Sequence, residues 1–295
     1  MERVWDYLVV GHVTQDRLPD GSLTPGGTAA YAARTARALG LRTAVLTSAD
    51  DALDLHALLP DVEIYRVPAA TRTVFENRYT ADGRVQFLHA RAALLTPETL
   101  RSARLILQRR TAILHLGPVA QECDPALADH IPADFLGLTP QGWMRRWDRS
   151  GRVSPGPWEG AEEWLPRADA VVLSEEDIGG DETLAARWAA QTRILALTRG
   201  ARGCSVYANG QVWHLPAFPA HEVDPTGAGD IFAAVFFVCL WKGDDPVRAA
   251  RRANCMAAIS VTRPGLSGTP TPAEVARCME NHQDTKTQSL SLLIF

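Results

Sequence analysis

The sequence predicts an α/β fold: a central, mostly parallel sheet flanked by helices, with a small β lid beside it. Short apolar runs such as Leu8-Val9-Val10 alternate with alanine-rich or amphipathic stretches of helical length. One interval, residues 71–91, departs from that rhythm and reads as β-rich throughout. A hydrophobic content of 46% over 295 residues is enough to bury one large core.

Trp5 to Gly11 holds a buried strand, and residues 14–25 are polar and turn-rich. Gly26-Gly27 opens an alanine-rich helix from Thr28 to Leu39, which Gly40 closes as its C-terminal cap. Thr43–Thr47 is the next buried strand, completing a βαβ unit with an insertion ahead of its helix. Val62–Val67, Thr73–Tyr79 and Arg84–His89 read together as a second β element, with Ala81-Asp82-Gly83 as a hairpin turn. Residues 14–25 and 71–91 are expected to form the lid. Strands are then expected at 112–116, 135–138, 170–173, 194–198 and 204–208. Helices are expected at 124–130, 183–191, 229–242, 246–262 and 272–280. Residues 141–166 hold Trp143, Trp147, Trp158 and Trp164 among arginines and prolines without periodicity, and read as one long loop. The expected organisation is a single domain over 1–282 and a C-terminal tail over 283–295.

Composition excludes several classes. A net charge of −4, from 30 basic and 34 acidic residues, gives no footprint for nucleic acid. Five cysteines lie scattered without a CxxC pair and read as buried free thiols in a reducing cytosol. No signal-peptide core follows Met1, and the most apolar run, Ile231–Trp241, is too short to span a bilayer. A soluble, cytoplasmic protein without a membrane partner is expected. No Gly-Lys-Ser/Thr occurs, which excludes a P-loop, and only Gly11 follows the first strand, short of a dinucleotide fingerprint.

The most informative segment is Asp224-Pro225-Thr226-Gly227-Ala228-Gly229-Asp230, which runs into an apolar helix. Glycines there turn sharply and leave bare N–H groups at a helix start, where anions bind. Asp230 beside that anion site should repel a bound phosphate. Its placement makes sense for a base that takes a proton from a hydroxyl attacking phosphorus.

This heptapeptide resembles the Asp-x-Thr-Gly-Ala-Gly-Asp signature of ribokinase-like (PfkB-type) carbohydrate kinases. Further stations resemble that family in the same order: Gly26-Gly27 opening a helix, Thr198-Arg199-Gly200-Ala201-Arg202-Gly203, the helix segment from Arg252 to Ala258, and Gly265. The resemblance spans about residues 5–280 and implies a three-layer ribokinase-like sandwich. It implies an ATP-dependent phosphotransferase acting on a hydroxyl of a small polyol. Asp230 would be its general base, and the N–H groups of Gly227, Ala228 and Gly229 its anion hole.

By the same resemblance Asp16, Gly26 and Gly27 would hold the acceptor. Ser174, Thr198, Gly200, Gly203 and Asn254 would line the nucleotide side. Asp177 would organise Mg²⁺ indirectly, and Asp224 and Thr226 would help hold a monovalent cation such as K⁺. The chain departs from the family at Tyr31, where most sugar-kinase relatives carry asparagine, and in the 141–152 segment, from which Gln141 or an arginine would reach the acceptor. Tyr31 either stacks on the acceptor or packs in the core. Ser174 and Asp177 are shorter than the family's Asn-x-x-Glu pair, which leaves the magnesium arrangement open. Sugars, cyclitols such as inositol, and nucleosides remain as acceptors, and the Gly-Gly-Thr-Ala-Ala-Tyr opening resembles inositol-type branches. A catalytically silent binding protein is the alternative outside enzymes. Exposed lid edges would allow a homodimer by strand pairing between subunits.

Overall fold

The computed structural model describes residues 3–80, 83–102 and 110–280. The expected tail over 283–295 and the turn at Ala81-Asp82 lie outside the described residues.

The chain begins with β1 (Arg3–Val10), β2 (Thr14–Arg17), β3 (Leu23–Gly26), α1 (Thr28–Ala38), β4 (Thr43–Ala49), α2 (Leu55–Leu58) and β5 (Glu63–Pro68). It continues through β6 (Thr73–Thr80), β7 (Gly83–Ala90), α3 (Thr99–Ser102), β8 (Arg110–Leu116), α4 (Leu127–His130) and β9 (Ala133–Leu138). Next come β10 (Arg145–Trp147), β11 (Val153–Pro155), α5 (Ala161–Trp164), β12 (Ala170–Ser174) and α6 (Glu182–Ala189). The last stretch is β13 (Ile194–Thr198), β14 (Cys204–Ala208), β15 (Gln211–Leu215), α7 (Ala228–Trp241), α8 (Pro246–Ser260) and α9 (Pro272–Glu280).

Nine strands form one sheet in the order β15-β14-β13-β12-β9-β8-β1-β4-β5, parallel from β13 to β5, with β14 and β15 antiparallel. Its central strands are buried on both faces, which is why they read as continuous apolar runs. Alternate residues supply two separate cores. Tyr7, Val9, Val45, Ile113 and Val172 face a layer of α1, α7 and α8. Leu8, Val10, Leu46, Leu114 and Leu173 face the other layer, with Leu127, Trp164 and Trp188. α7 is apolar on all sides because neighbours surround it, and Ile231 through Cys239 are all buried. The predicted three-layer arrangement is therefore present.

A separate four-stranded sheet, ordered β3-β2-β6-β7, forms the expected lid. Val62–Val67 does not belong to it: that segment is β5 and pairs in parallel with β4 at the edge of the main sheet. Its alternating character reflects one covered and one partly exposed face, which a lid strand and a sheet edge share.

Two further expectations are corrected. Residues 141–166 are not one irregular loop. They contain a 3-10 turn over 140–144, the antiparallel hairpin β10–β11, and α5. The tryptophans supply its packing: Trp143 and Trp158 stack at 4.8 Å, Trp158 meets Trp188 edge-on, and Trp143 Nε1 donates to the Cys123 carbonyl at 2.7 Å. The cysteines are not all free. Cys255 on α8 and Cys278 on α9 form a disulfide, while Cys123, Cys204 and Cys239 are buried thiols. The pair is 23 residues apart and meets only because α9 folds back on α8, so no local spacing announces it.

Candidate active site

Gly227 adopts φ +80° and turns the chain into α7, so Gly227 to Gly229 lie at the head of a long buried helix. The ring of Tyr31 sits directly beneath this turn. A Cβ on Gly227 would lie 2.3 Å from that ring, so glycine is required for space as well as for conformation. Asp230 stands in the first turn of α7, and its Oδ1 accepts a hydrogen bond from the Thr28 hydroxyl at 2.7 Å. Burial pushes its carboxyl up to about 6, with the negative charge of Asp177 adding to the rise. The Thr28 hydrogen bond and the charge of Arg145 act in the opposite direction.

The residues expected to hold the acceptor come from the lid and the start of α1. Asp16 lies on β2 opposite Thr24 on β3, and Gly26 is close enough that a Cβ there would be 2.8 Å from Asp16 Oδ2. Gly27, at φ +90°, passes 2.5 Å (measured to a hypothetical Cβ) from the His12 carbonyl. Both glycines therefore allow a close approach of backbone to backbone or carboxylate. Tyr31 is 1% exposed and belongs to the core, with its hydroxyl buried and lacking a partner among the described residues. Burial and the nearby carboxylates of Asp230, Asp224 and Asp16 raise its pKa. The ring packs in the core and supports the glycine turn from below. Its volume fills the space that the missing Gly227 side chain leaves.

The residues expected on the nucleotide side lie where β12 and β13 end next to each other, with Ser174 and Thr198 in register. Ser174 and Asp177 close on themselves: Asp177 Oδ2 accepts from the Ser174 N–H at 2.8 Å, and Ser174 Oγ accepts from the Asp177 N–H at 3.2 Å. Gly200 and Gly203 hold the following turn at φ +55° and +93°, and Gly203 faces the Leu215 carbonyl. Arg202 pairs with Glu175, and Arg199 with Glu182 at 2.6 Å, so the cations of this turn are tied to acids. Asn254 is buried and donates to the Pro216 carbonyl at 3.2 Å. It holds the chain leaving β15 against α8. Asp224 accepts from the N–H groups of Thr226 (2.9 Å) and Gly265 (2.8 Å), tying the signature loop to the loop after α8.

Gln141 lies in the 3-10 turn after β9 and is partly buried. The side chain of that region whose charge reaches Asp230 is instead Arg145 on β10. Arg145 donates to the Val119 carbonyl at 2.9 Å, and its guanidinium lies over the Phe75 ring of the lid at 5.4 Å. Sequence reasoning named the arginines of this segment as a group, but the pairing that singles one out is set by the hairpin. Thr28 was overlooked: a threonine opening a helix carries no signal until its partner Asp230 is seen 202 positions later.

A carboxylate at a helix N-terminus, with a small aspartate-bearing sheet beside a three-layer sandwich, defines a ribokinase-like architecture. Residues 158–274 match the family described as pfkB family carbohydrate kinase, and the chain carries a carbohydrate kinase domain of that family. Over 230 residues it is 28% identical to fructokinase-1 of Zea mays, covering 68% of each chain. Over 282 residues it is 28% identical to inositol 3-kinase of Zea mays, covering 88% of this chain and 73% of that one. A solved pyrophosphate-dependent kinase in the ribokinase family, complexed with a pyrophosphate analog and myo-inositol, superposes with a TM-score of 0.78 at 22% identity. That match covers 92% of this chain and 99% of the other. The protein is a carbohydrate kinase.

Proposed function

We propose that this chain transfers the γ-phosphate of ATP to a hydroxyl of a small polyol, a sugar or a cyclitol such as inositol, with Asp230 as general base. The observation that carries this reading is the pairing at the head of α7: a carboxyl raised to about 6, beside a glycine turn whose N–H groups begin the helix. A base with that pKa is ionised near neutrality yet basic enough to take a hydroxyl proton as the bond to phosphorus forms. Gly227, Ala228 and Gly229 offer N–H groups to the charge that develops on the transferring group. Asp16, with Gly26 and Gly27, orients the acceptor from the lid, and a carboxylate suits a diol because it only accepts.

ATP would lie along Ser174, Thr198, Gly200 and Gly203. Mg²⁺ would neutralise charge on the phosphate oxygens. Asp177 fits an indirect role, since one of its oxygens is committed to the Ser174 N–H. Asp224 and Thr226 shape a loop that would offer K⁺ its carbonyls, because the Asp224 oxygens already accept from two N–H groups.

The test is phosphoryl transfer from ATP, with pyrophosphate as a second donor, to a panel of inositols, ketoses, aldoses and nucleosides. Turnover with ATP and a polyol is expected. Binding without turnover on every donor and acceptor would sink the kinase reading in favour of a silent binding protein. Turnover with pyrophosphate alone would remove ATP from it.

A further inference from the structure

We infer that Thr28 is the positioning residue for the base, fixing which Asp230 oxygen receives the acceptor's proton. This inference rests on the reading of Asp230 as general base. The Thr28 hydroxyl donates to Asp230 Oδ1 at 2.7 Å, and among the described residues no protein donor meets Oδ2. A hydroxyl engaged this way occupies one oxygen and leaves the other for substrate.

The Thr28 side chain has little freedom to do anything else. It is 2% exposed, and its methyl packs at the end of β8: a Cβ on Gly117 would lie 2.5 Å from Thr28 Cγ2. A β-branched residue has few χ1 wells, so a methyl trapped against Gly117 commits the hydroxyl to Asp230. Thr28 also begins α1 directly after Gly26-Gly27, the pair that packs on Asp16 and His12. One residue therefore links the loop that orients the acceptor to the group that deprotonates it. A shift of either would separate the hydroxyl from its base, and misplacement of that order slows chemistry more than it weakens binding.

The groups that face Asp230 come from several elements. Arg145 on β10 favours its charged form, and Asp177 after β12 opposes it. Tyr31 on α1 and Tyr7 on β1 also feel its charge, and both are held neutral by burial. Of these, only Thr28 is bonded to the carboxylate in the described structure.

The experiment compares Thr28→Val, Thr28→Ser and Asp230→Asn, each checked for folding by its melting curve. Valine keeps the methyl packing and removes the donor. Its kcat should fall by roughly 10- to 100-fold, as for loss of an aligned catalytic hydrogen bond, while acceptor KM changes by less than about threefold. Without the hydrogen bond the charged form is less favoured, so the acid limb of kcat/KM should move to higher pH by roughly half a unit or more. Serine restores the hydroxyl and should return the limb to its wild-type position. A wild-type limb in Thr28→Val, or a limb in Thr28→Ser displaced as far as in the valine variant, would overturn the inference. A rise in KM with kcat unchanged would overturn it too. Near-normal turnover in Asp230→Asn would instead remove the base assignment beneath it, so the two failures are distinguishable.

Discussion

Asp230, the proposed base, is also a destabilising group. Its carboxyl titrates near 3.8 when unfolded and near 6 in the fold, because burial disfavours the charge. Below about 4 both states hold the proton and the site costs nothing. Between the two values only the folded state keeps it, so stability falls as pH rises from about 4 to about 6 and stays reduced above. Asp230→Asn should therefore raise stability, and with it the melting temperature, at pH 8 but not at pH 4, by at most about 3 kcal/mol of folding free energy, while abolishing turnover. Calorimetry at the two pH values checks the first effect, and a stability loss at pH 8 would refute it. The wild-type acid limb of kcat/KM should fall near pH 6. At this scale the sequence showed the heptapeptide and Asp16 plainly, since their chemistry is local. Thr28 and Arg145 stayed hidden because each acquires its role from a residue distant in the chain.

The hairpin β10–β11 ties the lid to the body. Leu88 N on β7 donates to the Gly151 carbonyl at 2.8 Å, and Phe75, Leu88, Val119 and Ala120 form a small core with Trp147 and Val153. The β7 edge is thus engaged within the chain at this point. Trp158→Ala should cost roughly 3–5 kcal/mol, read by denaturant unfolding, because it removes the ring stacked on Trp143 and packed on Trp188. As a further expectation, amide exchange in the described part of 71–91 should slow when a polyol acceptor binds, if the lid closes to exclude water. Exchange that stays unchanged in the bound enzyme would argue against closure. The segment looked irregular in the sequence because strands of three residues are too short to show a period, and its tryptophans pack on partners from other elements.

Across the whole molecule, the three-layer arrangement was legible because strands buried on both faces write continuous apolar runs and their crossover helices write amphipathic ones. β5 was misplaced because an edge strand and a lid strand alternate alike. The disulfide was invisible since it joins two helices that meet only in the folded chain. It closes a loop containing the Arg263–Glu274 ion pair, which spans 3.0 Å. In the chain-entropy view a loop of this length contributes about 3 kcal/mol, so Cys255→Ser should lower the melting temperature under non-reducing conditions and show no further loss on adding dithiothreitol. An unchanged melting temperature would show that the bond does not contribute.

The tyrosine ring wedged under Gly227 also constrains how this enzyme can change. Any side chain at 227 strikes the ring, while a smaller residue at 31 leaves a void under the turn and costs stability without a clash. Libraries that randomise 227 alone should return almost only glycine among active clones. Joint randomisation should recover further pairs, with small side chains at 31 admitting asparagine at 227, since asparagine tolerates a positive φ.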